Sequence, residues 1–409
     1  MQYPRLDRRG FPRVKPRRTV QTGGQAYSET PIPPPPSPEE PEIVPIYNTR
    51  GHHLATLLTH SGAVDGVPQT AITSYSTVKS EMSGNQNTAI KVLKHRYYWN
   101  QFENTTAGVY DFSLIGTHLD DCAAMVPARK LTVLLALTID KGLTASSPNV
   151  VPKYMVATGA DKMANVYEGG QWGYEGSVSG SGYRVRLSNT SVQTKLVNMI
   201  KALGDYVKAH PNYARFEGLA FTELQTSNAS TGYTEPAFVA SADGLLLAAN
   251  AFRVKLPTRL CSISVNNPKS TSTNVGIDYL IPLMETAKIG FGTPNVLPDA
   301  PSLWSPKNSN GYQEGCMVKM DYYNGLRVPE IQGADYISTN IGSATPQHQP
   351  TMAELFDVVV GLGAHQVVWT RFGNTNPVTG NKFFEDMYTF LETKKNLPAG
   401  GLNDTNPYP

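Results

Sequence analysis

Three carboxylates stand where an acid could do chemistry. Glu223 ends the apolar run FEGLAFTEL, Glu330 lies inside RVPEIQGADY, and Asp335 closes the same stretch. Paired carboxylates suit bond cleavage at an acetal carbon. One acid protonates the departing oxygen, and the other attacks the carbon or activates water. Other polar and aromatic residues also end apolar runs: Arg96, Tyr98 and Trp99 with Glu103 close behind, then Asp140, Gln225, Asn266, Asn267, Asn295, Gln332, Trp369 and Arg371. Aromatic faces can stack on the apolar faces of pyranose rings, while amides, carboxylates and guanidinium groups take up hydroxyls. Glu103 reads as a brace for its own loop. His95 and His365 read as core residues, and Trp369 as either a platform or core. Neither GxGxxG after the first strand nor GxxxxGK[ST] occurs, which argues against a nucleotide site. The 8 histidines do not cluster, and Cys122, Cys261 and Cys316 form no CxxC pair. No metal, no cofactor and no disulfide framework are expected.

The elements that must position these residues alternate regularly. AIKVLKHRYYW reads as a strand, FSLIGTHLDDCAAMV as a helix, and KLTVLLALTID as a strand buried on both faces. A glycine-rich insertion follows, with GGQWGYEGSVSGSGY at its tip, and then YRVRLSN as a third strand. SVQTKLVNMIKALGDYVKAH is an amphipathic helix capped by Ser191. FEGLAFTEL, LCSISVNN, GFGTPNVL, LRVPEIQGADY and HQVVWTRF continue the strands. PAFVASADGLLLAANAFRV, VGIDYLIPLMETAKI, TMAELFDVVVGLG and FFEDMYTFLETKK continue the helices. Such alternation predicts an α/β fold, a (β/α)8 TIM barrel over residues 89–395, with function at the C-terminal ends of its strands. Residues 46–88 read as short strands and loops leading in, TAITSYSTV among them, and 396–409 as a C-terminal tail. Alternation puts Leu219, Phe221 and Glu223 on one face of the fourth strand, and Val328, Glu330 and Gln332 on one face of the seventh. If Gln332 is the last inward residue, Glu330 lies one layer deeper, and an amide stands where a nucleophile would be.

The segment WNQFENTTAGVYDFSLIGTHLD resembles the first-strand motif of clan-A glycoside hydrolases, notably the β-galactosidase-like branch. Trp99, Glu103, Gly108, Tyr110, Asp111 and Phe112 fit that motif. Asn104 replaces its usual proline, and one extra residue precedes the glycine. The resemblance covers residues 89–395. It implies an acid/base glutamate at the end of strand four, which is Glu223, preceded here by Thr222 where the clan has asparagine. It also implies a nucleophile at the end of strand seven, for which Glu330, Asp335 or no residue at all remains open. Arg96, Tyr98, Trp99, Asp140, Asn295, Gln332, Trp369 and Arg371 are the expected sugar-binding residues.

Charge and composition narrow the partners. Across 409 residues, Lys+Arg 35 against Asp+Glu 33 leaves a net +2, too little for a bulk nucleic-acid binder. No run reaches the ~20 apolar residues of a membrane span. Charged residues make up 17%, so the surface should be rich in neutral polar groups. The start, MQYPRLDRRGFPRV, carries charge and no apolar stretch, so no secretory leader is expected. Residues 1–45 form a basic arm that runs into TPIPPPPSPEEPEIVP, whose prolines favour polyproline II and offer little to a core. Such an arm suits anchoring. The expected partners are carbohydrate and, through residues 1–45, the other proteins of a phage virion, as an oligomer in that assembly. The expected setting is the virion, outside the cell after lysis, with a bacterial cytoplasmic glycosidase as the alternative. A retaining hydrolase and an inactive carbohydrate-binding or structural protein on the same barrel both fit.

Overall fold

In the computed structural model, the described residues are 50–56, 75–83, 88–103, 105–139, 151–155, 174–178, 182–225, 235–266, 276–294, 296, 316–332, 335–336, 349–406 and 408. The expected arm lies outside them; of the tip of the glycine-rich insertion, residues 174–178 and 182–183 lie within them.

Eight parallel strands close a barrel, as expected of a (β/α)8 fold. In chain order they are β1 (Gly51–Thr56), β2 (Ile90–Tyr98), β3 (Lys130–Ala136), β7 (Phe216–Gln225), β8 (Leu260–Asn266), β9 (Gly290–Pro294), β10 (Arg327–Ile331) and β11 (Gln366–Thr370). The other strands, β4 (Thr138–Ile139), β5 (Tyr174–Val178) and β6 (Gly182–Val185), form a separate antiparallel sheet. Among the described residues the helices are α1 (Tyr75–Ser83), α2 (Ser113–Ala124), α3 (Thr190–Ala209), α4 (Glu235–Lys255), α5 (Gly276–Thr286), α6 (Cys316–Tyr322), α7 (Met352–Gly361) and α8 (Phe383–Glu392).

Two strand assignments change. YRVRLSN is not the third barrel strand; its first residues pair antiparallel with β4 and β5. The missing barrel strand is β1, which pairs parallel with both β11 and β2 and closes the ring. The barrel therefore begins at Gly51 rather than at residue 89. The reason is pairing from both sides: GHHLAT carries little apolar signal, yet ladder bonds on two edges hold it. TAITSYSTV also differs, since its last residues open α1.

Two cores result. The larger lies between barrel and helices and contains Leu93, Tyr97, Leu131, Val133, Leu219, Phe221, Ile263, Phe291 and Val367. Helix α3 shows how the sequence builds it: Val192, Leu196, Met199, Ile200, Leu203 and Val207 recur on one face and are buried. Its cap is Asn189, whose side chain accepts from the amides of Ser191 and Val192, rather than Ser191 itself. Gly218 is needed where β7 meets β8, because a Cβ there would lie 2.1 Å from the Leu260 carbonyl oxygen.

The smaller core is the floor of the barrel: Ala55, Leu260, Leu326, Val328, Val368 and Tyr408. Tyr408 belongs to the segment read as a tail, yet it is 5% exposed. Its hydroxyl accepts from the Leu326 amide at 3.2 Å. The same segment is tied to the first strand, for Arg50 Nη1 donates to Asp404 Oδ1 at 2.8 Å and the His52 ring meets the Gly400 carbonyl at 3.1 Å. The last residues thus close the N-terminal end of the barrel. Tyr408→Ala should open a cavity there and cost about 3 kcal/mol, the usual size for a buried aromatic. Chemical denaturation of the two proteins would measure it, and an unchanged midpoint would reduce the segment to a surface tail.

Candidate active site

An ion pair spans the interior of the barrel. Lys94 Nζ of β2 lies 2.9 Å from Glu330 Oε2 of β10, and both side chains are nearly buried. Strands β11 and β1 stand between β10 and β2 in the ring, so the contact crosses the lumen. Alternation then places Val92, Arg96 and Tyr98 with Lys94 on the inner face, and Val328 and Gln332 with Glu330. Room for the long lysine comes from small inward residues. Register neighbours share a face, which aligns Ala220 with Ser262, Ser262 with Gly290, Ser264 with Gly292, and Gly292 with Val328. Glu330 is therefore the anionic partner of a lysine in the barrel's interior, one layer beneath Gln332.

Asp335 sits just beyond β10 and is fully buried. Its Oδ2 accepts from the amide of Gln332 at 2.8 Å and from that of Val296 at 3.0 Å. Burial pushes its carboxyl up to about 7, the two amides pull the other way, and the nearby Glu330 adds to the rise. Near neutral pH a large share of Asp335 carries a proton, and a protonated carboxyl is not a nucleophile.

Glu223 lies near the end of β7. Between Phe221 and Leu224 the strand uses an extra residue relative to β8, so the two-residue alternation is interrupted there. Strict two-residue alternation from Leu219 and Phe221 therefore does not carry through this bulge. Leu219 and Phe221 pack toward the helices. Thr222 accepts from the Leu137 amide at 2.9 Å, which ties the exit of β7 to that of β3. The Glu223 side chain lies outside the described residues, as do Asp140 and Asn295.

The remaining candidates divide. Arg96 and Gln332 are half-buried on the inner face near the mouth, with Tyr98 buried beside Trp99. Trp99 is held in a brace: its Nε1 donates to Glu103 Oε2 at 2.8 Å, while Glu103 Oε1 accepts from the Tyr154 hydroxyl at 2.7 Å and the Gly108 amide at 2.6 Å. The structural reading of Glu103 holds, and Trp99 belongs to that brace. Trp369 is fully buried on the outer face, donating to His52 Nδ1 at 3.1 Å and lying against Phe390 of α8. That corrects its reading as a sugar platform, because strand alternation turned it outward. Arg371 is corrected too. It forms a two-pronged pair with Glu81 of α1, at 2.8 and 2.6 Å, over the ring of Phe384. Glu81 also accepts from the Tyr388 hydroxyl, so this cluster docks α1 onto α8.

Sequence reasoning missed Lys94 and Glu81. The signal for Lys94 was a lone lysine on the same strand face as Arg96 and Tyr98. His95 and His365 are buried and held neutral, pushed down by desolvation to about 3 and about 4. Among the described residues no group of His, Cys, Asp and Glu could hold a metal ion.

No family model matches the sequence, and no curated protein matches it. Solved structures do match the fold. The catalytic domain of the β-amylase from Paenibacillus polymyxa aligns with a TM-score of 0.56 at 8% identity, over 86% of this chain and 100% of that one. Endo-glycoceramidase II from Rhodococcus sp. aligns at 0.46 with 11% identity, over 83% of this chain and 78% of that one. An endoglucanase from Pseudomonas stutzeri aligns at 0.44 with 12% identity, over 90% and 100%. The first likeness establishes a shared barrel fold; the other two add no argument to it.

The ion pair gives a testable asymmetry. Lys94→Met leaves Glu330 buried without its cation and should cost about 3–5 kcal/mol. Replacing both, Lys94→Met with Glu330→Leu, should recover most of that loss, because no charge is then stranded. A double variant as unstable as the single one in denaturant titrations would mean that Glu330 has further partners that depend on its charge.

Proposed function

We propose that this chain is a glycoside hydrolase-like protein that acts on or binds a surface polysaccharide at the C-terminal mouth of its barrel. The observation that carries the reading is the end of the fourth barrel strand, where Glu223 follows Thr222 in a bulge of β7. Acids near the C-terminal ends of barrel strands are where this architecture places its chemistry. In hydrolysis Glu223 would donate a proton to the glycosidic oxygen as the bond to the anomeric carbon breaks. A second carboxylate would attack that carbon, and water would then release the sugar with Glu223 acting as base. Arg96, Gln332 and Asn295 supply donors and acceptors for hydroxyls.

A second reading, a carbohydrate binder without turnover, is favoured by the seventh strand. There Glu330 is paired with Lys94, Gln332 stands beyond it, and burial raises the Asp335 carboxyl to about 7. Both readings place the protein in a phage virion, held through residues 1–45. The support is the arm's basic and proline-rich sequence, which offers little apolar surface of its own. A cytoplasmic glycosidase is the alternative.

The experiment is to incubate the chain with soluble starch, xylan and purified capsular polysaccharide while following reducing ends and binding. With turnover, Glu223→Gln should lower kcat by about 10²–10⁴-fold, and substrates with better leaving groups should suffer less in the first step. Without turnover, the same variant should shift affinity only modestly. Hydrolysis that survives Glu223→Gln intact removes the acid/base role. Removing residues 1–45 should leave the thermal midpoint nearly unchanged and abolish incorporation into particles. A large fall in the midpoint would show that the arm belongs to the fold instead.

A further inference from the structure

We infer that Asp335 is a positioning residue: its carboxyl group ties the exit of β9 to the exit of β10 and thereby fixes where Gln332 stands at the mouth. The functional half of this inference rests on the polysaccharide reading above.

The backbone shows why such a tie is needed. The ladder between β9 and β10 runs from Arg327 paired with Phe291 to Glu330 paired with Pro294. The paired register ends there, so an amide beyond it needs an acceptor from elsewhere than this ladder. A buried amide without an acceptor is costly, so each must find another. Asp335 Oδ2 provides it for both, accepting from Gln332 at 2.8 Å and from Val296 at 3.0 Å. The Gln332 peptide is gripped a second time, because the Asp335 amide donates to the Gln332 carbonyl at 3.0 Å. One residue thus continues the sheet where the ladder ends.

The two anchored amides matter for the site. One is that of Gln332, the residue that directly follows β10. The other is that of Val296, which directly follows Asn295, the remaining amide side chain expected to meet sugar hydroxyls. Residues held by a second layer of hydrogen bonds keep the geometry that recognition needs. Asp335 Oδ1 is buried and has no hydrogen-bond partner among the described residues. With Oδ2 occupied as an acceptor, a proton on this group belongs on Oδ1. That accords with a carboxyl raised by burial. Asparagine reproduces this form: a carbonyl that accepts, and an N–H group where the protonated oxygen was.

The test uses the full chain and two variants, Asp335→Ala and Asp335→Asn. Hydrogen–deuterium exchange of the peptides carrying Val296 and Gln332 reads the tie directly, and binding of purified capsular polysaccharide reads its consequence. The alanine variant should exchange at both amides at least tenfold faster and bind at least tenfold more weakly. The asparagine variant should restore both. Unchanged exchange in Asp335→Ala overturns the inference, and so does faster exchange with undiminished binding. If the wild type binds no polysaccharide, the polysaccharide reading falls, and the exchange comparison still decides whether Asp335 is the anchor. Should the alanine variant not fold, wild-type exchange at these amides as fast as at an exposed loop overturns the tie.

Discussion

A buried lysine–glutamate pair across the lumen sets the terms for the rest of this barrel. A charge taken out of water is tolerated only with a partner and a tight fit. Lys94 and Glu330 meet because the inner faces of β7, β8 and β9 carry glycine, alanine and serine, which leave space for a four-carbon stem. The pair divides the interior. Next to it lies an apolar cluster that includes Val328, Val368 and Tyr408. Above it lies a polar mouth with Arg96 and Gln332. A ligand approaching from the mouth meets a layer of neutralised charge rather than an open channel.

The division also explains the fate of the carboxylates. Three acids near the ends of strands four and seven look interchangeable as letters, but their surroundings separate them. Glu330 serves the pair. Asp335 serves the backbone, and burial raises its carboxyl to about 7. Glu223 stands in a bulge of β7, beside a threonine tied to the neighbouring strand. Roles follow from environment, since solvation and partners decide which carboxyl can give a proton and which can attack.

Stability and site are built at opposite ends of the same strands. At the N-terminal end the last residues of the chain return to lock the first strand, through Arg50 with Asp404 and the His52 ring with Gly400. At the C-terminal end the strand exits are held by side chains instead of ladders, with Thr222 bridging to Leu137 and Asp335 bridging Val296 to Gln332. The helical layer has its own clamp in Arg371, Glu81 and Tyr388, which secures α1 beside α8. Such an arrangement leaves the mouth free to vary while the floor stays fixed.

By itself the sequence determined the barrel. Seven of its strands and most helices were legible from periodicity, because a strand buried on both faces must be apolar throughout and a covering helix must be amphipathic. It also placed Glu223 near the end of the FEGLAFTEL strand and read Glu103 as the brace of its loop. Only the tertiary structure decided the rest. β1 carries a weak local signal and exists through pairing on both edges, so GHHLAT could not announce itself. Trp369 and Arg371 end an apolar run as a substrate residue would. Which face of the strand they take depends on register, and register placed Trp369 against the helices and Arg371 on Glu81. Lys94 and Glu330 lie far apart in the chain, and no pattern along it relates them. Closure of the ring brings them together, and with that contact Glu330 gains a cationic partner that the sequence alone did not offer it.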